Sequence, residues 1–323
     1  MRRFVAVAVG CGVALACGAQ PALAEEGGSG HYAPGSMASF IDGVAPKPAL
    51  LVRLNVLYYS GSAGADRAIP IGGNTALGLD ATVVGYGLTT FWRPEIELGE
   101  RWSYAMSLTI PLLSAEVSAN AVVEGPGGGG RTIGRSDSLV GLGDIVFQPL
   151  MLNYTVSPDL SVNFRVSLYA PSGSYEVGRL ANTGKNFWTA EPTLALIYFG
   201  AENGREVSVF TGFDFNDENE ATNYRSGNQF HVDGTLAQHL PLLGGVSGLG
   251  VSSYYYQQVS GDSGPGASLG DFKGLTAGVG PVVSYIRKLG GQDLMAELKW
   301  LREYHTENRV RGDTVFLKVA LKF

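Results

Sequence analysis

Apolar and polar residues alternate along twelve separate segments of this chain, with a period of two. In the last segment, TVFLKVALKF at 314–323, the odd-numbered residues are all apolar and the even-numbered ones include Lys318 and Lys322. A period of two places the two sets on opposite faces of an extended strand. Each segment therefore predicts a two-faced β-strand, and the twelve are 51–59, 82–93, 101–113, 139–152, 160–170, 187–199, 206–215, 228–240, 247–259, 274–286, 293–305 and 314–323.

The connections between these segments alternate between long and short. The long ones are 60–81, 113–138, 171–186, 216–227, 260–273 and 306–313, and most of those between them have eight residues or fewer. Outer-membrane barrels have short periplasmic turns and longer extracellular loops, whereas a soluble sandwich has no reason to sort its loops in this way. We therefore predict an all-β fold, a transmembrane antiparallel β-barrel of about 12 strands formed by residues 50–323.

The first 24 residues have the pattern of a secretory signal peptide. The chain begins MRR, continues with an apolar stretch to about Ala19, and reaches Ala22-Leu23-Ala24 before two glutamates. This order of charged, apolar and small residues predicts cleavage after Ala24. A lipoprotein signal ending at Cys17 is the alternative, although the residues before it suit that signal poorly. Because Cys11 and Cys17 both lie in this stretch, the predicted mature chain has no thiol.

Composition and hydropathy limit the classes of partner and the cellular compartment that this chain could have. Without the signal peptide, 21 basic and 29 acidic side chains remain, a formal charge of −8 that argues against nucleic acid as a partner. After residue 24, the chain has no run of about 18 apolar residues, so no spanning helix is predicted. Together with the strand pattern, this predicts the outer membrane of a Gram-negative bacterium, with membrane lipid and lipopolysaccharide as neighbours.

The chain ends on an aromatic residue that continues the alternation of its last strand. In a closed barrel the last strand pairs with the first, so its register matters up to the end. Phe323, with apolar residues at every second position before it, resembles the signal by which outer-membrane proteins reach the barrel-assembly machinery. We therefore expect that machinery as a partner and Phe323 as part of the assembly signal.

The polar faces of the strands supply candidate lumen residues. Period two places Arg53, Arg165, His231, Asp233 and Lys318 on faces opposite the apolar ones. His231 and Asp233 lie two residues apart on one strand, so they predict either an acid/base pair or a hydrogen-bond network in the lumen. The one G-x-S-x-G match, GASLG at 266–270, lies in the long connection 260–273 rather than between a strand and a helix, and the histidine spacings do not suit zinc. We predict no catalytic residue, cofactor or metal, and no enzyme activity.

Residues 25–49 are rich in glycine and proline and show no strand alternation. They precede the first strand, so we expect this segment to begin at the periplasmic mouth of the barrel. An empty lumen of this width would conduct water and ions freely. We therefore predict a plug in the lumen, with Tyr32 and Phe40 offering apolar surface to a hydrophobic passenger. A disordered periplasmic tail is the alternative.

Several motifs resemble one family in their order along the chain. They are EGGSGHYAPGSMASFIDGVAPKP (26–48), GLGDI (141–145), APSGSYEVGRLANTGKNFWTAEP (170–192) and YRSGNQFHVDG (224–234). They resemble the outer-membrane proteins of the MetA pathway of phenol degradation, whose members more often carry Thr at the position of Ser172. This family is similar to FadL-type channels, which pass hydrophobic molecules and hold their N-terminus inside the barrel as a hatch.

The resemblance implies a channel for small hydrophobic or aromatic compounds, crossed by passive diffusion. A structural or adhesive barrel without transport is the first alternative. A membrane-embedded hydrolase is the second, because some outer-membrane barrels are enzymes. Uptake into reconstituted liposomes separates transport from both alternatives.

Overall fold

The computed structural model describes residues 28–71, 74–96, 98–124 and 130–323. The predicted signal peptide and residues 25–27 lie outside this part of the chain. Within the described residues, none of the helical structure is long and apolar enough to span a membrane. A short 3-10 helix, Phe40–Asp42, precedes the strands.

The described residues form thirteen β-strands. They are β1 (Ala49–Ile71), β2 (Asn74–Arg93), β3 (Trp102–Glu124), β4 (Gly130–Leu142), β5 (Val146–Ser157), β6 (Leu160–Tyr169), β7 (Thr189–Phe199), β8 (Arg205–Asn216), β9 (Gln229–Leu242), β10 (Gly245–Gln258), β11 (Leu275–Leu289), β12 (Gln292–Glu307) and β13 (Arg311–Lys322).

These strands form one closed antiparallel barrel. β1 pairs with β2 on one side and with β13 on the other, which closes the sheet. β4 and β5 both pair with β3, β4 along its extracellular part and β5 along its periplasmic part. The two strands therefore share one position in the wall, separated by the break at residues 143–145. The wall has twelve positions, and the predicted twelve-stranded barrel is confirmed.

The first four strands extend further on the extracellular side than predicted. Residues 60–81 and 113–138 were expected to be long loops, but β1 pairs with β2 as far as Ile71, and β3 pairs with β4 as far as Glu124. This expectation was wrong because alanine, serine and glycine give these stretches little contrast between their two faces. Ile69, Leu79 and Val117 nevertheless pack together inside the extended wall.

Elsewhere the two faces of each strand follow the predicted alternation. On β3, Leu108, Ile110 and Leu112 are more than two-fifths exposed on the outer face, whereas Ser103 and Ser107 are buried on the inner face. An apolar outer surface of this kind is what lipid requires of a transmembrane barrel. Whether a strand residue faces the lumen or the lipid thus follows from its odd or even position along the strand.

Residues 28–48, which we call the N-terminal segment, pack against lumen side chains of the barrel. In chain order the segment starts at the extracellular end, where Arg309 Nη1 donates to the Gly28 carbonyl over 3.1 Å. It ends beside Arg53 near the periplasmic end of β1. The expectation that it begins at the periplasmic mouth was therefore wrong. The position of strand one fixes where the segment ends, not where it begins.

The barrel closes at its periplasmic end through the last residue. The backbone N–H of Phe323 donates to the Leu50 carbonyl over 2.8 Å, which continues the ladder between β13 and β1. The Phe323 side chain is about half exposed on the outer surface. The C-terminal residue thus has a defined place in the wall.

Candidate functional site

The N-terminal segment divides the lumen unequally. Its residues pack against one side of the wall, where Ala38 lies with Ala195, Ile197 and Phe210 in a buried apolar cluster. The opposite side, formed mainly by the inner faces of β1, β2 and β3, lines two cavities. The free space of the lumen is therefore asymmetric.

A single carboxylate holds the middle of the segment. Asp233 accepts hydrogen bonds from the Tyr32 hydroxyl, from the Met37 backbone N–H over 2.9 Å and from the Gly35 backbone N–H over 3.4 Å. Asp233 is fully buried, so these donors replace the water that a carboxylate otherwise needs. On β12, Lys299 Nζ donates to the Met37 carbonyl over 2.6 Å.

Basic side chains from the wall hold the lower end of the segment. The Asp42 carboxylate forms two ion pairs: Oδ1 lies 2.7 Å from Arg53 Nη1, and Oδ2 lies 2.7 Å from Lys318 Nζ. Arg165 Nη2 donates to the Asp42 backbone carbonyl over 2.9 Å. Three of the predicted lumen cations therefore converge on one residue, from strands β1, β6 and β13.

The upper cavity is apolar and has a volume of about 340 Å³. It lies towards the extracellular end, between the wall, the start of the N-terminal segment and part of the loop 170–188. Most of the wall residues that line it are aliphatic or small, namely Leu57, Ile71, Leu79, Ala81, Val83, Leu113, Ala115 and Val117. Tyr59, Tyr254, Glu303 and Thr314 add polar groups. An apolar lumen surface in a barrel is suited to a hydrophobic ligand rather than to water.

The lower cavity has a volume of about 240 Å³, and apolar side chains such as Phe91, Pro111 and Val146 form part of its lining. Its walls carry amide, hydroxyl and charged groups: Asp42, Arg53, Asn55, Thr89, Ser107, Thr109, Gln148, Arg165 and Lys318. Several of these bond to one another. Asn55 Nδ2 donates to Thr89 Oγ1 over 2.9 Å, and Ser107 Oγ donates to Gln148 Oε1 over 2.7 Å.

Five residues line both cavities and therefore form the boundary between them. His31 and Ala33 come from the N-terminal segment, and Leu57, Leu113 and Phe316 come from β1, β3 and β13. Four of the five are apolar. Any molecule that moves from the upper cavity to the lower one passes these side chains.

The break in the wall between β4 and β5 orients His31 at this boundary. His31 Nε2 lies 2.9 Å from Asp144 Oδ2, and Nδ1 lies 2.7 Å from Thr189 Oγ1. Asp144 also accepts the backbone N–H groups of Gly173 and Lys185, at 2.8 and 2.7 Å. The sequence prediction missed His31, which lies in the N-terminal segment where parity assigns no face, and Asp144, which lies at a break inside the segment 139–152 that was predicted as one strand.

The extracellular loop 170–188 covers part of the upper cavity. Leu180 and Ala181 are buried against its apolar lining. Arg179 forms a bidentate ion pair with Asp137 of β4, with its Nη2 at 2.7 Å from Oδ1 and its Nε at 3.1 Å from Oδ2. Hydrogen bonding to Asp137 raises the pKa of the Arg179 guanidinium above its ordinary value. The loop is thus tied to the wall beside the break.

The remaining predicted site residues occupy separate places. The His231 ring stacks on Tyr32, with centroids 3.6 Å apart, while Asp233 bonds to the N-terminal segment, so the two do not act as a pair. Phe40 contacts the rings of Phe199 and His239 near the periplasmic end. Their part in a substrate path stays a prediction. Much of the apolar upper lining was missed, because 60–81 and 113–138 were interpreted as loops.

Comparison with known proteins places this barrel among outer-membrane proteins. A family model described as "Putative MetA-pathway of phenol degradation" matches residues 64–319. The chain is similar to the COG4313 outer membrane channel from Pseudomonas putida F1, at 16% identity and a TM-score of 0.65, over 87% of this chain and 97% of that one. This similarity shows a shared fold.

Two further structures are more distant. The β domain of the Bordetella autotransporter Brka has 10% identity and a TM-score of 0.47, over 85% of this chain and 99% of that one. A Pseudomonas aeruginosa FadL homologue has 8% identity and a TM-score of 0.40, over 86% of this chain and 90% of that one. No curated protein matches the chain.

Proposed function

Because this chain belongs to the family described as "Putative MetA-pathway of phenol degradation" and folds as an outer-membrane barrel, we propose that it is a channel for small hydrophobic or aromatic compounds. Such compounds would cross the outer membrane by passive diffusion. The observation that carries the proposal is the upper cavity inside the lumen, whose lining is mostly apolar.

The size of the upper cavity fits this class of passenger. A buried apolar cavity of about 150 Å³ is enough to bind benzene. The upper cavity of about 340 Å³ therefore has room for a substituted ring or for two fused rings. Transfer of apolar surface out of water stabilises the bound state by roughly 25 cal/mol per Å², which favours uptake without a specific hydrogen bond.

The two adjoining cavities supply a path for a passenger from the extracellular end of the lumen towards the periplasm. A passenger would bind among aliphatic side chains, pass the boundary at Leu57, Leu113 and Phe316, and reach the lower cavity. The N-terminal segment, which lines both cavities, would then set how much of the path is open.

The experiment is uptake of radiolabelled toluene and naphthalene into proteoliposomes with an outer leaflet of lipopolysaccharide, because plain phospholipid lets both compounds cross without a protein. Ala115, which faces the upper cavity on β3, is replaced by tryptophan to fill the cavity. Leu112→Trp on the outer face of the same strand is the matched control. We expect Ala115→Trp to slow uptake at least tenfold and the control to match the wild type.

Two results would overturn the proposal. If wild-type liposomes take up neither compound faster than protein-free ones, the barrel has a structural or adhesive role instead. If Ala115→Trp folds and transports normally, the upper cavity is not on the path. Folding of each variant is checked by the heat-modifiable mobility of the barrel on gels.

A further inference from the structure

Three ionisable side chains meet inside the wall behind the N-terminal segment. Glu191 on β7, Asp214 on β8 and His231 on β9 are fully buried, and one potential ligand atom from each lies within 4.8 Å of the other two. His231 Nε2 is 3.3 Å from Glu191 Oε1 and 3.8 Å from Asp214 Oδ1. Neither cavity described above is lined by these residues.

Hydrogen bonds satisfy only one of the three groups. Glu191 accepts from the Tyr169 hydroxyl at 2.5 Å and from Thr193 Oγ1 at 2.9 Å. Both carboxylate oxygens of Asp214 and both ring nitrogens of His231 are buried without a hydrogen-bond partner among the described residues. Burying a carboxylate without hydrogen-bond donors costs free energy. These four buried atoms without a partner therefore indicate a bound group that interacts with them.

The negative charge of the cluster also favours a bound cation. Strand pairs on either side, Ala190 with Phe215 and Thr193 with Gly212, place Glu191 directly across from Asp214. Two like charges facing each other in a sheet are destabilising, and no lysine or arginine of the described residues forms an ion pair with either. A divalent cation would balance both carboxylates while the imidazole stays neutral.

We propose that Glu191, Asp214 and His231 bind one divalent transition-metal ion, with Zn²⁺ as the representative ion. One imidazole nitrogen and two carboxylate oxygens are ordinary ligands for such ions. With metal–ligand bonds of about 2.1 Å, tetrahedral ligand atoms lie about 3.4 Å apart. The two separations from His231 Nε2, 3.3 and 3.8 Å, are close to that spacing.

The surroundings hold the imidazole in position for this role. The Tyr32 ring covers one face of His231. Gly212 lies against the ring edge, because a Cβ added there would come within 2.3 Å of Nε2. The ion would join β7, β8 and β9 at the place where the N-terminal segment packs. Its role would be structural, since the site is closed to both cavities.

The test measures metal content in the folded protein. The predicted mature chain is refolded into detergent with Zn²⁺, Mn²⁺ or Co²⁺, passed over a chelating resin and analysed by plasma mass spectrometry. We expect about one ion per chain for the wild type and less than about a tenth of that for Asp214→Asn. Glu206→Gln, a buried carboxylate on the same strand, is the control and should keep its ion.

A second measurement uses the wild type alone, so it tests the proposal even if the variants do not fold. Wild-type barrel refolded with Zn²⁺ should unfold at a higher temperature than barrel refolded with a chelator, because an ion that binds only the folded state stabilises it. The proposal is overturned if the folded wild type holds none of the three ions, and then protons neutralise the cluster instead. Equal metal content in wild type and Asp214→Asn would also overturn it.

Discussion

Lys318 Nζ lies 2.7 Å from Asp42 Oδ2, which ties the closing strand of the barrel to the N-terminal segment. The two residues are 276 positions apart in the sequence, and both are nearly inaccessible to solvent. Arg53 binds the other oxygen of the same carboxylate. Asp42 therefore anchors the segment that lines both cavities.

We predict that Asp42→Asn loosens the N-terminal segment. Removing one member of a buried ion pair leaves the partner charge uncompensated and costs about 3–5 kcal/mol. Single-channel recordings in planar bilayers should show a higher mean conductance than the wild type. Asp293→Asn is the control, because the Asp293–Lys322 pair lies at the periplasmic rim and is more exposed. Equal conductance of Asp42→Asn and wild type would contradict the anchoring role.

Deletion of residues 28–46 tests the plug hypothesis directly. If the segment narrows the lumen, conductance should rise severalfold, because the inner wall would then enclose an open aqueous path. A variant with residues 29–37 replaced by glycine and serine keeps the chain length but loses the hydrogen bond of the Tyr32 hydroxyl and the packing of the Met37 side chain. It should conduct more than the wild type and less than the deletion. An unchanged trace for the deletion would rule out the plug.

Gly212→Ala should destabilise the barrel by about 1–3 kcal/mol, the usual cost of overpacking. The added methyl group would displace the His231 ring and disturb its stacking on Tyr32. The midpoint of heat-modifiable gel mobility measures the effect. Gly234→Ala on β9 is the matched control, because no atom lies closer than 3.9 Å to its added Cβ. Similar midpoints for the two variants would show that His231 moves without cost.

Removal of Phe323 is expected to impair assembly more than transport. The residue completes the ladder with Leu50 and presents its ring on the outer surface near the periplasmic end. Pulse-chase labelling in cells should show unfolded protein accumulating, while the assembled fraction transports normally. Phe323→Tyr keeps an aromatic end and should assemble like the wild type. Normal assembly of the deletion would contradict a role in the signal.

The alternation predicted most of the barrel because a strand needs only local sequence to define its faces. Parity assigned Arg53, Arg165 and Lys318 to the polar faces of their strands, and all three contact Asp42 of the N-terminal segment. The same reasoning failed for 60–81 and 113–138. Their small residues fit either face, and only pairing with the neighbouring strand keeps them extended.

The contacts across the lumen were decided by the tertiary structure. The strand register and the path of the N-terminal segment bring Asp42 to Lys318, and bring Glu191, Asp214 and His231 together from three strands. Periodicity reports which face a residue occupies but not its height relative to residues on other strands. The barrel fold therefore follows from local patterns in the sequence. The cavities and the buried cluster depend on register and closure, which are properties of the whole sheet.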